Sequence, residues 1–236
     1  MSAQLPLNLR LRDGSSFDNY YRGRNEEAVR YLRDLVDGRA TRAPAVLFLW
    51  GESASGKSHL LQAACRLVQE RGNVPIYVPL GEPGLRPVLL EEADASFLIC
   101  LDDVQQVAGD PAWESALFAL YELARSTGAK LLASGTAPPT RLNLDMPELA
   151  SRLAWGPVYQ LQPLSDDEKL EAIRLRARNR GLDVAPDVAR YILRRYPRDL
   201  SSLFTLLERI DTAALASQRR VTIPFLRELE GFHGAT

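Results

Sequence analysis

Gly51-Glu52-Ser53-Ala54-Ser55-Gly56-Lys57-Ser58 is the stretch that decides the fold of this 236-residue chain. It fits the pattern G-x-x-x-x-G-K-[ST] without a gap. Eight residues in a Gly/Ser-rich turn can match by accident, so the flanks carry the reading. Before the loop, Ala45-Val46-Leu47-Phe48-Leu49-Trp50 is a continuous apolar run, the pattern of a buried parallel strand. After it, a helix is predicted from Lys57 to about Arg71. Glycines let backbone N–H groups converge on phosphate oxygens, and the helix N-terminus adds partial positive charge. Gly51, Ser53, Ala54, Ser55, Gly56, Lys57, Ser58 and His59 are therefore the candidate phosphate contacts. Lys57 is expected on the outer phosphates of ATP or ADP and Ser58 on Mg2+.

Outward from the loop the strand–helix pattern repeats. Pro75-Ile76-Tyr77-Val78-Pro79, Phe97-Leu98-Ile99-Cys100-Leu101, Lys130-Leu131-Leu132-Ala133-Ser134 and Val158-Tyr159-Gln160-Leu161 are predicted as strands two to five. A helix is predicted over 113–125. An earlier one, capped by Asn25, runs through Glu26, Ala28, Val29, Leu32 and Val36 with Gly38 beyond its end. This alternation predicts an α/β base, a five-stranded parallel sheet flanked by helices. After Pro163 the strands stop. Ser165-Asp166-Asp167-Glu168 is a capping box opening a helix to about Arg180. Further helices are predicted from Pro186, over 198–217 and from Thr222. Leu200, Leu203, Leu206, Leu207 and Ile210 form one apolar face. Gln4, Leu5, Leu7 and Leu9 alternate around Pro6 and predict an extended peptide. The expected organisation is an extended peptide over 1–12, an α/β base over 13–162 and a small all-helical C-terminal lid over 163–236.

Composition narrows the function classes. Apolar content of 46% and charged content of 25% are ordinary for a globular protein. A net charge of -1 argues against a strongly basic nucleic-acid surface. Lysine occurs only at Lys57, Lys130 and Lys169 amid abundant arginine, which makes Lys57 the more informative: a phosphate cradle needs a compact ammonium. Cys65 and Cys100 form no CxxC pair or disulfide framework, and no signal peptide or membrane-length apolar run is present, so a cytoplasmic protein is expected. His59 and His233 are the only histidines, too few for a zinc site or a histidine triad.

Asp102 and Asp103 close the third predicted strand, where a P-loop protein needs a carboxylate for its magnesium shell. Asp102 is the candidate metal partner of Ser58. Asp103 sits where a base orients an attacking water. Many active P-loop ATPases carry a longer glutamate there, so weak or absent intrinsic hydrolysis is expected.

Several segments together resemble the DnaA branch of the AAA+ ATPases. Phe17-Asp18-Asn19-Tyr20 with Gly23 resembles its adenine-covering segment, and Leu101-Asp102-Asp103-Val104 its magnesium motif. Ser151-Arg152-Leu153-Ala154-Trp155-Gly156 resembles its arginine-finger box, and Arg198-Asp199-Leu200 its lid arginine. Within that branch the chain is similar to the Hda regulators, the regulatory inactivators of DnaA. No helix-turn-helix follows the lid, and Gln4-Leu5-Pro6-Leu7-Asn8-Leu9 resembles the QLxLxL peptide that docks on the bacterial sliding clamp.

The resemblance implies roles that residue patterns alone leave open. By itself Arg152 reads as a surface arginine pairing with a carboxylate; the resemblance implies an arginine finger acting in trans on DnaA-bound ATP. Arg198 by itself pairs with Asp199 or Glu208; the resemblance implies nucleotide sensing. Tyr21 and Arg22 serve equally as walls for adenine or as packing. Gln4, Leu5, Leu7 and Leu9 form either an edge strand or, by resemblance, the peptide that binds the DNA polymerase III sliding clamp (beta). The implied function is negative regulation of replication initiation, with DnaA and the clamp as partners, room for a homo-oligomer, only indirect contact with DNA, and no membrane. The family's first sensor position often holds a polar or acidic residue after strand four; here the chain reads Ser134-Gly135-Thr136, and the resemblance leaves the role of Thr136 open. The alternatives are a self-sufficient AAA+ ATPase such as a replicative helicase loader, a small-molecule kinase, and a DNA-binding module.

Overall fold

Residues 15–39, 46–90, 97–197 and 199–231 are described in this computed structural model. They divide into two compact units. One holds the described residues through Phe17 together with Arg24–Pro163; the other holds Asp18–Gly23 and the chain from Leu164 onward. Gln4, Leu5, Leu7, Leu9 and Arg198 lie outside the described residues.

The first unit is built on a five-stranded sheet. Its strands are β1 (Val46–Trp50), β2 (Pro75–Pro79), β3 (Leu98–Asp102), β4 (Lys130–Gly135) and β5 (Val158–Gln160). The order across the sheet is β2-β3-β4-β1-β5 and every pairing is parallel. Parallel neighbours need crossover connections, which α1 (Glu26–Val36), α2 (Lys57–Glu70), α3 (Pro111–Thr127) and α4 (Pro147–Leu153) flank. Leu47, Phe48, Leu49, Leu131, Leu132 and Ala133 have no exposed surface. At about 1.5–3 kcal/mol for each large apolar side chain withdrawn from water, these central strands dominate the unit's stability. Side chains alternate across the sheet. Phe48, Ile99, Leu101 and Leu131 pack with Leu117, Leu120 and Tyr121 of α3 and Leu149 and Leu153 of α4. On the opposite face, Cys100 Sγ meets Cys65 Sγ of α2 at 3.5 Å. The edge strand β2 begins and ends in proline, which blunts further pairing.

Because β3, β4 and β1 are adjacent, their carboxyl ends lie side by side. That places the loop after β1, the Asp102-Asp103 pair after β3 and Ser134-Gly135-Thr136 after β4 along one rim, where open α/β sheets bind ligands.

Within this unit the structure differs from the sequence reading in several places. Strand β3 is Leu98–Asp102, one residue on from the predicted apolar run, so Asp102 closes it and Asp103 lies beyond its end. Helix α3 begins at Pro111 and not at 113, because the Asp110 carboxylate accepts the Ala112 and Trp113 N–H groups at 2.9 and 3.3 Å. Helix α4 was not predicted; seven residues are too few to show a helical period. Asn25 stands before α1 but makes no side-chain cap. Its amide instead donates to the Gln162 carbonyl at 3.0 Å and accepts from the Gln162 N–H at 2.8 Å.

The second unit holds four helices, α5 (Asp166–Asn179), α6 (Pro186–Arg195), α7 (Leu200–Ser217) and α8 (Ile223–Gly231). The capping box at Ser165 forms: Ser165 Oγ accepts the Glu168 N–H and Glu168 Oε2 accepts the Ser165 N–H. Helix α7 starts at Leu200, two residues later than expected, because Asp199 caps it through the Ser202 N–H at 2.8 Å. Ile173, Ile192, Leu203, Leu207, Ile210 and Leu226 form its core. Among the described residues no helix is long and apolar enough to cross a membrane.

Candidate functional site

The loop after β1 is held from both sides. The Gly51 N–H donates to the Gly135 carbonyl at 3.3 Å, and the Leu161 N–H donates to the Trp50 carbonyl at 2.7 Å. A Cβ on Gly51 would stand 2.6 Å from the Leu161 carbonyl oxygen and 3.1 Å from Ser55 Oγ. Only glycine fits that close approach of two backbones. Further along, Ala54 (φ 60°) and Gly56 (φ 96°) are left-handed. For an alanine this costs about 1–2 kcal/mol, a strain that persists where the surroundings hold it. These turns lead into the first turn of α2, whose Lys57 and Ser58 N–H groups have no intrahelical acceptor by the geometry of a helix start. The result is a concave set of donors with a positive helix end, which suits phosphate.

Lys57 is buried, and its Nζ donates to the Gly51 and Glu52 carbonyls at 2.9 and 3.0 Å. Burial pushes its pKa down, with Asp103 and Asp102 acting in the opposite direction. Phosphate oxygens would supply the opposite charge that this ammonium partly lacks. The His59 ring is turned elsewhere: its Nε2 bonds the Ser16 carbonyl at 2.9 Å, so His59 offers the cradle its backbone only.

Asp102 is 3% exposed and both its oxygens are engaged. Oδ2 accepts from the Tyr77 hydroxyl at 2.6 Å, and Oδ1 accepts from the Ser134 hydroxyl. The relay continues from Tyr77 to Gln62 of α2 at 3.1 Å and from Gln62 to Ser15 at 3.0 Å. Burial, then Asp102, raise the Tyr77 phenol far above its ordinary value, so it stays a donor. Sequence reading missed Tyr77, Gln62 and Ser134 as partners of Asp102. The one signal was a tyrosine hydroxyl in a strand otherwise apolar between its prolines.

Asp103 is left-handed (φ 61°), and its N–H donates to Ser134 Oγ at 2.9 Å. Its carboxylate Oδ1 accepts from Gln105 Nε2 at 3.0 Å, while Gln105 Oε1 accepts the Thr136 N–H at 3.2 Å. Gln105, which no motif marked, thus ties Asp103 to the backbone of Thr136 at the end of β4. Among the described residues no group of three or more His, Cys, Asp or Glu could hold a metal. Mg2+ arriving with phosphates needs only one or two protein ligands, and Ser58 and Asp102 fit that demand.

Arg152 lies in the last turn of α4, its side chain 35% exposed. Its guanidinium sits over the Trp155 ring at 5.1 Å and the Tyr121 ring at 5.8 Å, with Glu122 Oε1 3.9 Å from its Nε. An ion pair this long and exposed is worth under about 1 kcal/mol. The aromatic rings brace the arginine without consuming its hydrogen-bonding edge, and Trp155 is itself 64% exposed. Lys57, Asp102 and Asp103 are brought together, with Ser134 and Gln105 added. Tyr21 and Arg22 belong to the second unit.

The cradle has a direct test. Gly51→Ala is expected to weaken ADP binding by about 30-fold, from about 2 kcal/mol of overpacking against Leu161, as measured by calorimetry. Gly128→Ala is the control: it is also left-handed (φ 79°), but nothing lies within 4 Å of its Cβ position. It should lower the melting temperature and leave ADP affinity unchanged. Equal losses in both variants would contradict this reading of Gly51.

Residues 166–229 match the family model described as the lid domain of Hda. Among solved structures, the chain is similar to domain III of DnaA from Thermotoga maritima (TM-score 0.72, 19% identity, covering 92% of this chain and 97% of that one). It is similar to AMPPCP-bound DnaA from Aquifex aeolicus (TM-score 0.70, 19% identity, covering 85% of this chain). It spans 66% of that DnaA, just under two thirds. The RuvB Holliday junction branch migration motor from Thermotoga maritima matches with TM-score 0.59 at 18% identity, covering 86% of this chain and 67% of that one. The sheet and its flanking helices have the AAA+ fold seen in DnaA and RuvB, followed by a helical lid.

Proposed function

Taking this chain as an Hda-like, DnaA-related AAA+ protein, we propose that it is a negative regulator of replication initiation that stimulates hydrolysis of DnaA-bound ATP. The observation that carries this reading is Arg152, partly exposed at the end of α4 and braced by Trp155 and Tyr121. An arginine presented to solvent in this way is available to a neighbouring molecule's phosphoryl group. There it would stabilise the charge that develops during transfer.

The chain's own nucleotide, ADP on this reading, would be held by the 51–58 backbone and Lys57, with Ser58 and Asp102 supporting Mg2+. Tyr21, Arg22 and Arg198 are the candidates around the base and from the lid. Bound there, the nucleotide supplies the phosphate charge that the loop and Lys57 are built to meet. Asp103 is held by Gln105, which suits a protein that keeps its nucleotide and turns it over slowly. Gln4, Leu5, Leu7 and Leu9 would tether the chain to the DNA-loaded sliding clamp.

The test is hydrolysis of ATP preloaded on DnaA, with and without DNA-loaded clamp. Stimulation is expected only when chain and clamp are both present. Deleting residues 1–9 should abolish clamp pull-down and stimulation while leaving ADP affinity intact. Steady ATP turnover by the chain alone, or binding to a replicative helicase without clamp, would replace this reading with that of a helicase loader.

A further inference from the structure

Glu114 sits in the first turn of α3, where a carboxylate ordinarily faces water and the helix dipole, yet it is 1% exposed. Its side chain gathers three backbone donors from two other segments. Oε1 accepts the Gly109 N–H at 2.8 Å and the Asp145 N–H at 3.0 Å, and Oε2 accepts the Met146 N–H at 2.6 Å. Met146 occupies the N-cap position of α4 and provides no side-chain cap of its own. Glu114 therefore satisfies the N-cap N–H of α4 from a neighbouring helix, the bond that the N3 glutamate of a capping box makes locally.

That matters because of what α4 carries. A helix of seven residues has no stability of its own, so its position depends on its anchors. Leu149 and Leu153 bury one face, and Glu114 holds the start. Arg152 follows Pro147 by five residues, about 7.5 Å along the axis at 1.5 Å per residue. The same α3 supplies Tyr121 and Glu122, which meet the Arg152 guanidinium at the far end. Helix α3 thus grips α4 at both ends. A small swing at the Met146 end would be carried directly to the guanidinium, and placement errors of about 1 Å can cost about 100-fold in rate.

We propose that Glu114 is a positioning residue for Arg152, a capping carboxylate supplied by α3 that sets where α4 presents its arginine. This role rests on the finger reading of Arg152. Glu114→Gln keeps the volume but turns an NH2 toward a backbone N–H, so the cap is broken without a cavity.

The test has two arms. In hydrogen exchange, Glu114→Gln in the full chain should speed amide exchange over 145–156 by about tenfold and leave β1 and α2 protected. In the DnaA–ATP assay, maximal stimulation should fall about tenfold, with half-saturating concentration and ADP affinity within about twofold of the parent. The double variant with Arg152→Ala should be no slower than Arg152→Ala alone. Unchanged exchange over 145–156 overturns the proposal, as does a uniform rise across the sheet, which would mark a general structural role. If the parent chain does not stimulate hydrolysis, the finger reading fails, and the exchange arm alone decides whether Glu114 positions α4. Should Glu114→Gln fail to fold, Glu114→Asp, which keeps the charge but shortens the reach, is read by the same criteria.

Discussion

Arg152→Ala is expected to return hydrolysis of DnaA-bound ATP to its unstimulated rate, a loss of about 1,000-fold or more if the arginine acts as other fingers supplied in trans do. The side chain stabilises little in its own molecule. It is partly exposed, its ion pair to Glu122 is long, and of its two ring partners Tyr121 is buried in the core in its own right while Trp155 is largely exposed. The variant should therefore melt within a few degrees of the parent, bind ADP equally well and still be retained by the sliding clamp. Its defect should appear wholly in the rate at saturating concentration, because a group that acts only on developing charge leaves ground-state binding alone. Arg152→Lys should behave nearly as badly: a lysine keeps the charge but not the planar fork. Full stimulation by Arg152→Ala would remove the finger from the proposed mechanism, whatever the clamp result.

Lys57→Ala should have the second largest effect, on the chain's own nucleotide. The ammonium is buried against the Gly51 and Glu52 carbonyls, and burial lowers its pKa. Its removal deletes charge-assisted bonds to phosphate of about 1.5–3 kcal/mol each. Two such bonds correspond to a loss in ADP affinity of about 100-fold or more by calorimetry. The loop carbonyls would also lose their donor, so the turn at Ala54 and Gly56 loses a restraint that holds its left-handed backbone. Stimulation of DnaA should fall too if the resident nucleotide sets the conformation. Stimulation that persists without bound ADP would separate the two sites and leave the cradle without a regulatory role. ADP affinity within about threefold of the parent would contradict the phosphate assignment of Lys57 itself.

The two sites differ in how they are written in the chain. The cradle is contiguous. Gly51 to Ser58 are consecutive, the apolar run before them declares a buried strand, and the helix after them begins within the motif. Its geometry needs few distant partners, the close approach of Leu161 to Gly51 being the main one. The capping box at Ser165 was readable for the same reason, since both of its hydrogen bonds close within four residues. Asn25 shows the limit. As an asparagine before a helical pattern it has the form of a cap, yet its amide pairs with Gln162, 137 positions away. A residue type that competes for backbone groups serves either end equally well, and local pattern does not choose between them.

The acidic pair was legible as chemistry but not as geometry. Two aspartates at the end of an apolar strand raise the expectation of a carboxylate near the phosphate loop. That Asp102 would be held by Tyr77 and Ser134, and the Asp103 N–H by Ser134, follows from β3 lying between β2 and β4, whereas the bond from Gln105 to the Asp103 carboxylate closes within two residues. The same holds for Glu114, whose partners come from the loop before α3 and the loop before α4.

By itself, then, the sequence determined what short-range chemistry can determine: a phosphate loop between strand and helix, a strand–helix alternation that demands a parallel sheet, and a run of helices after it. Only the tertiary structure decided which groups those charges face. Strand order sets which rims touch, and hydrogen bonds across the unit join residues tens of positions apart, so Tyr77 and Ser134 meet Asp102, and Asp145 and Met146 meet Glu114, only once the chain has folded around them.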